Sequence, residues 1–295
     1  MSVPFAYIGV IMIWSTTPLA ILWSSQEVGF LFGVTSRMII GAVLALIVTA
    51  LLGLGMRWHR RALLAYMVSG LGIYGGMLSI YWAAQYIPSG WISLIFGLTP
   101  VITGLMAGIW LKNERLNAPR IGGMALGLAG LAVIFGSSME LSHYAALGVG
   151  GVLLGATIHS ASGVWLKRLN ADVPAIVLAS GGLTLAAPLY LLTWLLIGEP
   201  LPATASARTI GSIGYLALFG SVIGFALYFH VLRHVQATKV ALITLVAPVM
   251  ALTLGSLLNG EVITTQIITG ALLILSGLAL FELGDRLPRL RGLRE

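Results

Sequence analysis

Apolar runs of about twenty residues follow one another along this chain with only short polar turns between them, and that recurrence limits the fold more than any other feature. A bilayer core roughly 30 Å thick asks about twenty apolar residues of each helix that crosses it. Strands of an outer-membrane barrel would instead alternate over segments of about ten residues, and no such alternation is present. The runs place spans at 4–24, 28–51, 62–84, 88–111, 119–137, 144–166, 173–197, 209–231, 238–259 and 265–284. Only 8% of the 295 residues are charged, against roughly 25% in a soluble domain, which is too little to coat a surface in water. The expected fold is all-α: a polytopic membrane protein of ten transmembrane helices with no room for a soluble domain. The first span lacks a basic leader and a small-residue cleavage site, so it reads as a retained helix rather than a signal peptide.

The charges that remain are sorted by side. If the N-terminus lies inside, fourteen of the sixteen Lys and Arg residues fall on inner turns or in the tail; Arg208 is outside and Arg37 lies within a span. The opposite turns carry Glu27, Glu140, Glu199 and Glu261. This bias predicts that both termini are cytoplasmic. It also accounts for the net charge of +7 without nucleic acid as a partner.

The chain is doubled. The stretch from Trp91 to Phe135 is echoed between Lys239 and Phe281, with Glu114 falling on Glu261, Gly123 on Gly270 and Gly130 on Gly277, each pair 147 residues apart. Pro100 and Pro248 match if one residue is slipped. Spacing of half a chain through two apolar segments is a repeat signal. Five spans per copy would set the second upside down, giving repeats at 4–137 and 144–284 and a basic cytoplasmic tail at 285–295. Inverted repeats are a recurrent transporter plan, with the substrate between the halves.

Several chemistries are excluded. There is no cysteine, so no disulfide or thiol chemistry, and no metal set, nucleophile triad or phosphate loop is present. No cofactor is expected, and the chain does not read as an enzyme or a self-contained pump. The polar and aromatic groups inside the spans are the candidates. Arg37, about ten residues into the second span, serves either as a structural anchor or in binding an anion or carboxylate. His159, with Ser160 and Ser162 beside it in the sixth span, is the candidate polar anchor or proton carrier; a histidine satisfied by a neighbouring helix is the competing account. Trp14, Tyr74, Tyr81, Trp82, Trp91, Trp165, Tyr215 and Tyr228 are candidate cavity walls, and Thr16, Thr17 and Ser162 candidate hydrogen-bond donors. For any one wall residue, packing against lipid or a neighbour is an equal alternative. Pro100 and Pro248 are candidate bend points, and Lys239 could reach the vestibule from the first turn of its span. Trp58, Trp110 and Trp194 sit at span ends, as interfacial tryptophans do.

In IMIWSTTPLA, in Arg37, in TPVITGLMAGIWLKNE followed by IGGMALGLAGLAVIF, and in their second copies, the chain resembles the drug/metabolite transporter superfamily, specifically its ten-span members with two EamA-type domains. The second copy departs in carrying Asn259-Gly260-Glu261 where the first has Asn113-Glu114-Arg115. The resemblance implies a central cavity bounded by both halves, spans 5 and 10 at the periphery, and location in a bacterial inner membrane among lipids. It points to export of a small-molecule substrate, with amino acids first among the metabolites. A broad exporter of amphipathic drugs or cations is the alternative, followed by a membrane scaffold or enzyme; monomer and homodimer both fit.

Overall fold

A computed structural model describes residues 2–110, 118–136, 143–235 and 243–291. Their regular structure is helical throughout: α1 (Val3–Ser25), α2 (Phe30–Leu51), α3 (Arg60–Ala83), α4 (Ser89–Phe96), α5 (Thr99–Trp110), α6 (Ala118–Gly136), α7 (His143–Leu169), α8 (Ala175–Ile197), α9 (Ala207–Tyr215), a π-helical segment (Leu216–Ile223), α10 (Gly224–His234), α11 (Ile243–Asn259) and α12 (Thr265–Arg291). Among the described residues, seven stretches are long and apolar enough to cross a membrane, with α4–α5 and α9–α10 each counted as one. Shorter apolar helices lie at Ile121–Ile134, Ala247–Asn259 and Thr265–Phe281. The chain is an all-α polytopic membrane protein.

Helices form because hydrocarbon offers no partner to a backbone N–H or C=O, so each segment must satisfy its own. Hydroxyls within the spans follow the same rule. Ser79 donates to the Gly75 carbonyl at 2.8 Å, Thr157 to Leu153 at 2.7 Å and Thr193 to Leu189 at 2.8 Å. Large apolar side chains cover the outer faces, as at Leu195, Leu196 and Ile197. Helix α3 starts where His59 Nδ1 accepts the Ala62 N–H, and α8 stops at Gly198, whose φ of +74° suits a residue without Cβ.

The structure departs from the expected spans in three places. The fourth, expected to be continuous over 88–111, breaks between α4 and α5 at Gly97 and Leu98. Pro100 has no N–H for the Phe96 carbonyl four residues before it, and the Thr99 hydroxyl donates to that carbonyl instead. In the eighth span the π-helical segment separates α9 from α10, and α12 runs to Arg291, into the stretch expected to be a tail. Glu114 and Lys239 lie outside the described residues.

Long-range packing joins the first part of the chain to the second: α2 and α3 against α8, α3 against α7, α1 against α9, α10 and α11, α4 against α11, and α6 against α12. The α6–α12 contact shows how closely. A methyl added at Gly277 would come within 2.5 Å of the Gly123 carbonyl oxygen, and one at Gly130 within 2.6 Å of the Gly270 carbonyl oxygen. Without a hydrophobic drive between helices in lipid, such close backbone approach supplies the van der Waals energy. Replacing Gly277 by leucine should therefore lower the thermal unfolding midpoint in detergent, overpacking costing about 1–3 kcal/mol. The control Gly150→Ala, whose methyl meets nothing within 4 Å, should leave the midpoint unchanged or slightly raised.

Candidate functional site

A cavity lies where helices of both halves of the chain converge beside the break between α4 and α5. Helix α1 contributes Trp14, Thr17, Pro18 and Ile21; α2 contributes Arg37; α3 contributes Met77 and Ile80; α4 contributes Ile92, Ser93 and Phe96. From the second half of the chain come His159 on α7, Gly220 in the π-helical segment, Phe225 on α10 and Ala247 on α11. It opens ≈ 60 Å³ to the centres of water molecules, above the roughly 10–15 Å³ that holding a single water requires. That suits a compact ligand.

Four rings form one wall. The Trp14 ring lies 6.0 Å from Phe96, 5.5 Å from His159 and 5.4 Å from Tyr228, and His159 lies 5.4 Å from Phe96 and 4.9 Å from Tyr228. Local chemistry sets this up. Pro18 removes the N–H that the Trp14 carbonyl would have accepted, while Thr17 turns its hydroxyl onto the Ile13 carbonyl at 2.7 Å. Helix α4 ends at Phe96 because of the break, which leaves that ring at the cavity edge. Gly97 at the break also approaches Pro248: a methyl there would lie 3.5 Å from the Pro248 ring.

Arg37, also in the cavity wall, is 1% exposed. Its Nε donates to Ser221 Oγ at 3.0 Å, and its Cζ lies 5.9 Å from the centre of the Tyr81 ring. Ser221 belongs to the π-helical segment, a feature concentrated at functional sites. Gly220 beside it admits the guanidinium: a Cβ there would stand 2.9 Å from Nη2.

Of the residues expected from sequence, Trp14, Thr17, Arg37 and His159 line the cavity, and Tyr228 backs its ring wall. The others are placed elsewhere. Thr16 bonds the Tyr215 hydroxyl across α1 and α9, and Tyr215 stacks on Phe219 at 5.2 Å. Tyr74 bonds Thr193 at 2.6 Å, Ser162 donates to the Val68 carbonyl at 3.0 Å, and Tyr81 is fully buried behind Arg37. Trp82 packs on Tyr86 at 5.1 Å, on the side of a separate groove between α3 and α7. Trp165 is 48% exposed, with Trp110 at 6.0 Å. Trp91 is half-buried against the core. Pro100 opens α5 just past the break, and Pro248 lies inside a continuous α11. Helical spacing places Tyr74 and Tyr81 on one face, but α8 and Arg37 occupy that face.

Sequence reading missed Phe96, Ser93, Phe225, Ser221 and Gly220. The apolar ones look like any lipid-facing residue, whereas the small pair Gly220 and Gly224, four apart, was the one available signal. No group of three or more metal-ligating side chains comes together among the described residues.

A solved crystal structure superposes on this chain with a TM-score of 0.74, covering 97% of it and 99% of the other at 21% identity, so the fold is shared. The pattern of the EamA-like transporter family matches residues 1–136 and 146–283. The chain belongs to the EamA-like transporter family. It is therefore a transporter of the drug/metabolite superfamily and not an enzyme. An uncharacterized transporter of Bacillus subtilis, YoaV, is 28% identical over 92% of this chain and 93% of its own length. A probable amino-acid metabolite efflux pump of Salmonella typhimurium is 27% identical over 73% of this chain and 75% of its own length. The uncharacterized inner membrane transporter YedA of Escherichia coli is 28% identical over 66% of this chain and 61% of its own length.

In this EamA-like transporter, three carboxylates at the acidic end each cap a helix of the opposite half. Glu27 accepts the Ser206 N–H at 2.8 Å and the Thr209 hydroxyl at 3.0 Å at the start of α9. Glu199 accepts the Phe32 N–H at 3.2 Å in the first turn of α2. Glu261 accepts the N–H groups of Ser89 and Gly90, each at 3.1 Å, and the Ser89 hydroxyl at 2.6 Å at the start of α4. Anions at helix N-termini are stabilised by the unpaired N–H groups and the helix dipole. The Ser206 N–H, then the Ser206 and Thr209 side chains, hold Glu27 below the usual carboxylate pKa, while desolvation raises Glu199 despite its bond to Phe32. The stabilisation from Glu27 is complete above its unfolded value of about 4.5 and is lost as pH falls through its lower folded value. Glu27→Gln should thus melt below the parent at pH 7, and the gap should close in melting curves taken well below pH 4.5.

Proposed function

We propose that the chain is a secondary transporter that exports small metabolites, amino acids first among them, by alternating access of the central cavity. The two halves are read as inverted five-helix repeats, 4–137 and 144–284, making ten spans with a basic tail at 285–295. Both termini lie in the cytoplasm of a bacterial cell, with the transporter in its inner membrane. The observation that carries this reading is the cavity itself, enclosed by α1 to α4 of the first half and by α7, the π-helical segment, α10 and α11 of the second.

The packing supports the repeat. Sequence pairs Gly123 with Gly270 and Gly130 with Gly277, yet the contacts cross, Gly123 to Gly277 and Gly130 to Gly270. A two-fold exchange of the halves turns one contact into the other, as an isologous interface requires. The pairings of α3 with α7 and of α1 with α9 and α10 exchange in the same way. Basic turns at one end support the orientation, and the efflux-pump description of the Salmonella relative favours amino acids. An exporter of cations is disfavoured by the fixed positive charge of Arg37 in the cavity.

Because the chain has no cysteine, Ser93→Cys and Ala247→Cys can be read without background. In sealed vesicles of either orientation, each thiol should react with an impermeant reagent from both faces, with substrate shifting reactivity in opposite directions at the two. Free labelling from both faces without a substrate effect would indicate a channel and defeat the reading. In liposomes, counterflow of amino acids should persist when the pH gradient is collapsed, since no carboxylate lines the cavity among the described residues; loss of counterflow would assign proton transfer to His159 instead. Phe96→Leu should weaken substrate about two- to tenfold through loss of ring contact, measured as the half-saturating concentration.

A further inference from the structure

We infer that Arg37 is the recognition group for a single carboxylate, so that the substrate is a compact monocarboxylate with an apolar or ring-stacking body. This rests on the transporter reading of the same cavity and goes further by naming what the cavity binds.

The argument starts from an incomplete set of partners. Arg37 is a permanent cation within a membrane span, 1% exposed, and a buried charge there is ordinarily matched by an opposite one. Its contacts in the protein are neutral: the Ser221 hydroxyl at Nε and the Tyr81 ring 5.9 Å from Cζ. Nη1 is buried and has no hydrogen-bond partner. The carboxylates whose side chains are described are engaged elsewhere. Glu27, Glu199 and Glu261 cap helices, and Asp172 pairs with Arg233 at 2.7 Å. The missing partner is an anion, and Arg37 stands in the wall of the cavity that would hold it.

The surroundings narrow the anion. A guanidinium presents a planar fork that matches a carboxylate. With Nε turned to Ser221, Nη1 is the buried donor left without a partner. Arg37 alone carries a fixed charge among the described lining residues, so a dianion such as phosphate would keep an unmatched charge in hydrocarbon. The remaining lining is mainly apolar or aromatic, with Ile21, Ile80, Ile92 and Phe225 beside the rings of Trp14 and Phe96 and three neutral polar groups, Thr17, Ser93 and His159, among them. That surface accepts a short branched or planar body. An anchor that served structure alone would have its donors satisfied by the protein, as Lys167 does by donating to the Leu232 and Val235 carbonyls at 2.6 and 2.7 Å.

The test uses the purified full-length chain in detergent and measures thermal stabilisation and affinity for matched probes: isobutyrate, isovalerate, phenylacetate and L-valine, each beside its amide. Acids should bind and amides should not. Arg37→Gln should abolish the preference, and Arg37→Lys, which keeps the charge and loses the fork, should weaken acid binding about tenfold or more. The unliganded midpoint of Arg37→Gln should equal or exceed that of the parent, because an unmatched buried charge is removed; a structural anchor would lower it. If Arg37→Gln does not fold, Arg37→Lys carries the comparison. Amides binding as well as acids, unaltered acid binding in the folded variant, or no response to any acid each overturns the proposal. Counterflow by the parent in liposomes judges the transport reading separately. Flux without preference for acids removes the carboxylate site and leaves transport standing, whereas acid binding without flux keeps the site and removes transport.

Discussion

Everything in this molecule depends on satisfying polar groups in a solvent that offers none. Backbone amides must bond within their own helix, and hydroxyls turn onto carbonyls of the preceding turn, as Thr17 and Ser79 do. The break at Gly97–Leu98 and the π-helical segment Leu216–Ile223, two places among the described residues where the regular α-helical ladder changes, both border the cavity. Irregular backbone is tolerated at membrane depth where it lines a cavity or is buried in protein. The freed Phe96 carbonyl illustrates the compensation, since a threonine side chain takes the place of the amide that Pro100 lacks.

The halves are held together differently along their length. At the acidic end, charged caps pass from one half to the other: Glu27 to α9, Glu199 to α2 and Glu261 to α4. Trp23 adds a bond of 3.0 Å to Asn259. At α6 and α12 the attachment is glycine on glycine, close and non-polar.

Glu261 also links the acidic end to the cavity wall. It holds the N-terminus of α4, a helix whose other end is Phe96 in the cavity wall. A helix of eight residues thus connects a carboxylate at the acidic end with a ring in the cavity wall. Gly97, next to Pro248, places the break in α4–α5 against the proline-containing helix α11 of the opposite half.

The sequence by itself determined the membrane class, because span length and scarcity of charge leave only helices in lipid, and it determined the family, because order and spacing survive along nearly the whole chain. It also marked Trp14, Thr17, Arg37 and His159, since polar and aromatic groups inside a span stand out against aliphatic neighbours. It did not distinguish Tyr74 or Trp165 from cavity residues. Helical periodicity tells which side chains share a face, not what that face meets, and in lipid both sides of a helix are apolar. Only the tertiary structure decided that α3 turns Tyr74 toward Thr193, that Phe96 ends a broken helix at the cavity, and that Ser221 meets Arg37 across 184 residues of chain. Those outcomes depend on how separately formed helices close on one another, and that packing is set by contacts distant in sequence.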